Sequence, residues 1–208
     1  MYLTPEEHLS LWNDFRSGNT KAYAKIYELF AADLYRYGYN LVRNKQLVED
    51  CLHELFLHLH HQKHKLSPTN NIRFYLYRAL RNRLLDSIQK QNKFTSEETT
   101  FNQAEFTVQS FESQWIEEQV LVHQKQMVVT ALNKLPKRQK EILYLVYMKG
   151  LSHQEVAEVM NISMKSVYNT LNIALKTLRD YVNISFLKEG VLGVSLGSLV
   201  NLFFLPLN

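Results

Sequence analysis

The sequence predicts an all-α protein: two small helical domains joined by a flexible acidic linker, the second a four-helix domain with a helix-turn-helix. Three observations lead there. Only 6 Gly and 4 Pro occur in 208 residues, too few for the turns of a sandwich or a Rossmann sheet. Apolar residues recur at helical spacing behind recognisable caps. The charge falls into blocks: 1–93 holds fourteen Lys/Arg against nine Asp/Glu, 94–126 holds one against six, 127–183 eight against four, and 184–208 one of each. Two basic arms therefore flank an acidic spacer, and the net +4 is what remains. Basic arms suit a polyanionic partner.

The composition also excludes function classes. Hydrophobic residues are 46% and charged residues 21%, as in ordinary globular chains. The single Cys51 rules out an internal disulfide framework and any CxxC metal or redox motif, which suits a reducing cytoplasm. The amino terminus, with Glu6 and Glu7 where a secretory signal is positive, predicts no export.

Within 1–93, Thr4-Pro5-Glu6-Glu7 joins an N-cap, a proline at the first helical position and a glutamate three residues after the cap, so a helix starts there and runs to about Arg16. Ser17-Gly18-Asn19-Thr20 breaks it. A second helix places Ala22, Ile26, Leu29, Phe30, Tyr37 and Leu41 on one side. A third, from about Gln46, buries Val48, Cys51, Leu52, Leu55, Phe56 and Leu59, leaving Leu57 exposed among Asp50, Glu54 and His61. After the turn Ser67-Pro68-Thr69-Asn70-Asn71, a fourth helix runs from Ile72 to about Gln91. It carries Arg73, Arg78, Arg81, Arg83, Lys90 and, beyond it, Lys93 against Asp86 alone, with Phe74, Tyr75 and Tyr77 near its start. At about 100° per residue these three rings cannot all enter one core. Exposed aromatics among arginines suit single-stranded nucleic acid, since rings stack on bases and guanidinium groups neutralise phosphates. A helix burying Leu76, Leu80, Leu84 and Ile88 under solvated arginines fits the same residues.

In 127–183, Pro136 opens a helix through Tyr147 that ends at Gly150, and Ser152-His153-Gln154-Glu155 is a capping box for a short helix to Met160. Asn161-Ile162-Ser163 turns into a final helix, Met164 to about Val182, with Val167, Leu171, Ala174, Leu175, Leu178 and Val182 on its buried side. Short helix, tight turn and longer helix make a helix-turn-helix, whose second helix enters the major groove. Lys165, Asn169, Asn172 and Lys176 lie opposite the buried stripe, and Asn and Lys suit base edges or phosphate. A three-helix bundle with an ordinary polar surface is the plainer reading.

With both arms in view, the chain resembles a bacterial RNA polymerase sigma factor of the extracytoplasmic-function (ECF) group over about residues 5–183. Glu49-Asp50-Cys51-Leu52-His53-Glu54-Leu55-Phe56-Leu57 is similar to the family's polymerase-binding helix, and Tyr75-Leu76-Tyr77-Arg78-Ala79-Leu80-Arg81-Asn82-Arg83-Leu84-Leu85-Asp86 to its promoter helix. Leu135-Pro136-Lys137-Arg138-Gln139-Lys140-Glu141-Ile142-Leu143 and Leu151-Ser152 with Glu155-Val156-Ala157 resemble the −35-reading domain. The resemblance implies a transcription initiation factor with core RNA polymerase and promoter DNA as partners, no cofactor and no catalytic residues. Asp50, His53, Glu54, Phe56 and Leu57 would grip the clamp helices of the largest subunit, on or under that face. The loop 65–71 with Asn71, Phe74, Tyr75 and Tyr77 would capture flipped −10 bases, while Arg78, Arg81 and Lys90 hold the strands. Lys165, Ser166, Asn169, Asn172 and Lys176 would bind the −35 element. Residues 1–93, 94–126 and 127–183 become the polymerase and −10 domain, the linker through the RNA exit path, and the −35 domain. Many such factors are held by an anti-sigma factor, a partner the residues leave open.

Three departures from the family's pattern bear on promoter sequence: Tyr75 stands where a tryptophan is usual, His53 for a glutamine, and Asn172, Ile173 and Lys176 where arginines are frequent. A stand-alone helix-turn-helix regulator is the alternative, but it leaves the third and fourth helices unexplained; a nucleic-acid-processing enzyme would need clustered carboxylates or a metal box. His60 and His64 have the spacing of zinc ligands, yet without HExxH or an accompanying carboxylate pattern no metal site is expected. The apolar stretch Val191 to Leu207 is short for a membrane span, which takes about 20 residues; packing on the chain's own domains or on a regulator is expected ahead of a membrane anchor.

Overall fold

The computed structural model describes residues 3–95 and 130–189, which are helical with no strand among them. The chain divides into two compact units, Met1–Glu105 and Phe106–Asn208.

In the first unit, α1 (Pro5–Arg16) begins at the expected capping box, with the Thr4 hydroxyl accepting from the Glu7 N–H and the Glu7 carboxylate accepting from the Thr4 N–H. α2 (Thr20–Val42) is capped by the Asn19 side chain, and α3 (Lys45–Gln62) by that of Asn44. A single 3-10 turn, Lys63–Lys65, follows α3. An irregular loop at 66–71 then leads to α4 (Ile72–Thr95). Trp12, Phe15, Ile26, Leu34, Tyr37, Leu55, Leu59 and Ile72 are essentially inaccessible and form one core between the four helices. Gly38 lies where α2 meets α3 and α4: a Cβ there would stand 2.9 Å from Val48 Cγ1 and 3.3 Å from Leu84 Cδ1. Closer approach of these helices is possible only without a side chain.

In the second unit a helical run at 130–134 precedes α5 (Lys137–Leu143). The sequence suggested one helix opened by Pro136 and continuing through Tyr147. Instead Pro136 is the N-cap, and a π turn at Tyr144–Met148 takes over after Leu143. The wider turn is compatible with the burial of Ile142, Leu143, Tyr144 and Leu145 in succession, a segment enclosed on all sides rather than one-faced. Gly150, at φ +66, ends it. α6 (His153–Met160) has the expected capping box of Ser152 and Glu155. Asn161 adopts the left-handed conformation at its C-cap, and α7 (Met164–Glu189) follows, with the Ser163 hydroxyl accepting from the Ser166 N–H.

α4 and α7 both run further than their apolar stripes suggested. No Gly or Pro interrupts 72–95 or 164–189, so nothing in the backbone stops either helix where the stripe ends. Most of the acidic linker, and the apolar tail from Gly190 onward, lie outside the described residues. No described helix is long and apolar enough to cross a membrane.

Candidate functional site

Three faces emerge, two on the first unit and one on the second. On α3, Asp50, His53, Glu54 and Leu57 are exposed, while Phe56 is buried beneath them at 3%. Leu57 keeps 43% of its surface in solvent. It borders a groove between α2 and α3 whose walls include Tyr27, Ala31, Tyr35, Leu52, Phe56 and Leu57, with Glu28 and Glu49 also lining it. Tyr27 stands edge-on to Phe56 at 4.8 Å, and the Tyr23 hydroxyl donates to the Phe56 carbonyl at 3.0 Å. Burial pushes the Tyr23 hydroxyl's pKa upward, with the neighbouring Tyr27 adding to the shift, so this hydroxyl remains a donor at neutral pH. Tyr23 and Tyr27 of α2 were missed from sequence, although, four residues apart, they mark one helix face.

The second face is the loop 66–71 with the start of α4. The Asn71 side chain accepts from the Phe74 N–H at 3.0 Å, and Thr69 Oγ1 accepts from the Asn71 N–H at 3.1 Å. Phe74 and Tyr75 are half-buried, Tyr75 lying 5.0 Å from Trp12 and its hydroxyl pKa raised by burial. Arg78 and Lys90 are exposed. Two residues expected at the nucleic acid lie inward in this fold. Tyr77 is fully buried with its ring 4.9 Å from Tyr37, and Arg81 is only 6% exposed. Positions 77 and 81, one turn apart, share the stripe that faces the core. Arg83 reaches back to Glu54 of α3, at 3.8 Å.

On the second unit, Lys165, Asn169, Asn172 and Lys176 are exposed along α7, and Ser166 is half-buried at its amino-terminal end. Tyr168, 44% exposed, flanks this stripe and stands edge-on to His153 of α6 at 4.5 Å. Ile173, at 55%, lies at the opposite margin. The histidines near the end of α3 do not converge: no group of three or more His, Cys, Asp or Glu able to hold a metal occurs among the described residues. Cys51 is buried, and its thiol pKa is raised chiefly by desolvation.

The groove and the capped loop lie on one compact helical unit, and the helix-turn-helix lies on the other. Residues 26–94 match the Sigma-70 region 2 model and 125–178 the Sigma-70, region 4 model. The ECF RNA polymerase sigma factor SigM of Bacillus subtilis (strain 168) is 30% identical over 146 residues, 67% of this chain and 82% of SigM. SigX of the same organism is 22% identical over 145 residues, covering 68% and 74%. The chain belongs to the ECF RNA polymerase sigma factors. It is thus an initiation factor that binds core RNA polymerase and recognises promoter DNA. Among solved structures, CnrH in complex with the cytosolic domain of CnrY shares the fold at a TM-score of 0.53 and 18% identity, covering 84% of this chain and 96% of that one. RpoE in complex with the anti-sigma factor NepR from Bartonella quintana gives the same TM-score and identity over 79% and 98%.

Proposed function

We propose that the exposed face of α3 docks on the clamp helices of the polymerase's largest subunit, that loop 66–71 and the start of α4 receive unpaired −10 bases, and that α7 reads the −35 element. The observation that carries the first assignment is Leu57: a large apolar side chain held in solvent beside an aromatic-floored groove, among Asp50, His53 and Glu54. Phe56, packed beneath, supports that face rather than touching the partner.

For the −10 element, opening a base step costs a few kcal/mol. Stacking on an aromatic ring returns about 1–3 kcal/mol per base, so Phe74 and Tyr75, beside Asn71, are sufficient to repay an opened step without ATP. Arg78 and Lys90 neutralise phosphate. On α7, Lys165, Asn169, Asn172 and Lys176 contact bases and backbone, and Ser166 lies at the amino-terminal end, where residues of a recognition helix meet base edges. The functional domains follow as 1–93, 127–183 and the acidic linker 94–126 between them. The chain acts without catalysis of its own, in the cytoplasm, where its polymerase and promoter are. An anti-sigma factor is a further partner in this reading, since two relatives of the same fold were solved with protein partners, one of them NepR.

Run-off transcription with purified core polymerase tests the assignment. Promoter-dependent transcripts are expected from the full chain and are expected to disappear with Leu57→Asp. Unimpaired transcription by the folded variant would show that α3 presents a different face.

A further inference from the structure

We propose that Trp12 and Arg16 of α1 are positioning residues for the −10 base-binding loop: by holding the carbonyls of Ser67 and Leu66 they set where Asn71 and Phe74 meet the unpaired base. The proposal rests on the assignment of loop 66–71 to −10 capture made above.

Trp12 Nε1–H donates to the Ser67 carbonyl at 2.8 Å, and Arg16 Nε–H to the Leu66 carbonyl at 2.6 Å. The two donors are four residues apart, on one face of α1, and they meet two successive carbonyls of a segment that has no regular structure of its own. Both donors are themselves held. Trp12 is fully buried with Phe15 at 5.2 Å, and the Arg16 guanidinium also donates to Asn13 Oδ1 at 3.1 Å. At its other end the loop runs through the Thr69 and Asn71 side-chain bonds into the cap of α4. The loop is therefore fixed at both ends, and Trp12 touches both parts of the face, since its ring also lies on Tyr75. A loop ordered before DNA arrives does not lose its conformational freedom in the binding step. If α1 only packed, its loss would weaken every activity alike; a positioning role changes base preference selectively.

The test uses holoenzyme assembled from core polymerase and the full chain, transcribing a template pool randomised across the −10 element. Trp12→Phe keeps an aromatic ring and deletes the donor; Arg16→Met keeps length and deletes the guanidinium. Each is expected to reduce the preference for the best −10 sequences about fivefold, as for one partly buried hydrogen bond, with core affinity and −35 preference unchanged. Asn71→Ala and Phe74→Ala are run beside them. If these flatten the −10 preference and the α1 variants do not, the positioning role is wrong and the loop assignment stands. If none of the four alters it, the loop assignment itself has failed. Should Trp12→Phe fold poorly, Arg16→Met, at a partly exposed position, decides the matter.

Discussion

Leu57→Asp separates docking from folding more sharply than any other change on α3. The side chain is 43% exposed, so its outer part contributes nothing to the core but is available to a partner. Burying that part, on the order of 75 Å2, at ~25 cal/mol/Å2 contributes about 2 kcal/mol to docking. Aspartate forfeits this and places another carboxylate among Glu49, Asp50 and Glu54. Desolvating an unpaired charge in the interface adds several kcal/mol. A combined loss on the order of 4 kcal/mol weakens core binding about a thousandfold. Equilibrium titration of labelled chain with core polymerase measures it, beside thermal unfolding of the free chain, whose stability is expected to change by no more than about 0.5 kcal/mol. Leu59→Asp, two residues on and 1% exposed, is expected to unfold the first unit. Affinity within threefold of the parent in folded Leu57→Asp would refute the placement of Leu57 in the interface.

Gly38→Ala would be worth about 1 kcal/mol of stabilisation on an open helix, but its Cβ would meet the stiff, β-branched Val48 at 2.9 Å. Overpacking of about 1–3 kcal/mol is expected to win, giving a lower denaturation midpoint in urea; a raised midpoint would mean that Val48 yields. His8 is buried, and desolvation, aided by Arg73 and opposed by Glu7, lowers its pKa in the folded chain. Below the ordinary value of 6.5 the unfolded chain therefore takes up a proton that the folded chain resists, so stability falls with pH from there down to the folded pKa and then levels. The slope is at most ~1.4 kcal/mol per pH unit, and His8→Phe should remove this component in denaturation measured from pH 7.5 to 5; an unchanged profile would assign it elsewhere. Lys165→Ala is expected to reduce the log-log salt dependence of promoter binding by about 1; an unchanged slope with altered base preference would place Lys165 on a base edge. Arg81→Ala is expected to lower stability by about 1–3 kcal/mol, as when buried polar partners are stranded, with the salt slope unchanged; a reduced slope in a stable variant would return Arg81 to the phosphates.

What local sequence could show were features made by neighbours along the chain. The boxes at Thr4 and Ser152 need only residues three apart, and both are present. The apolar stripe of α3 needs only the helical period, and Val48, Cys51, Leu52, Leu55, Phe56 and Leu59 are all buried. The hold of α1 on the loop was beyond such reading: Trp12 and Ser67 are 55 residues apart, Arg16 and Leu66 50. Nothing near Trp12 shows that its N–H will find a carbonyl rather than water. The π turn after Leu143 was hidden for a related reason, since an enclosed segment has no polar side from which to read its period.

Tyr77 shows how the two kinds of information combine. Periodicity required that at least one of Phe74, Tyr75 and Tyr77 stay outside, but the stripe of α4 could be rotated to accept Tyr77 or to exclude it. Tyr37 of α2 decides it, providing a ring at 4.9 Å against which Tyr77 packs. Once position 77 faces inward, position 81 does too, one turn on, and the outward arc passes through Phe74, Arg78 and Asn82, with Tyr75 at its margin. Arg78 and Asn82 are exposed and Phe74 half-buried along that line. The outward face is narrower than the residue types suggested, with the exposed Arg78 guanidinium beside two partly sheltered rings, Phe74 and Tyr75. In the proposed reading a narrow face places a flipped base accurately only if the loop beside it is itself fixed, and the bonds from Trp12 and Arg16 to residues 67 and 66 fix it.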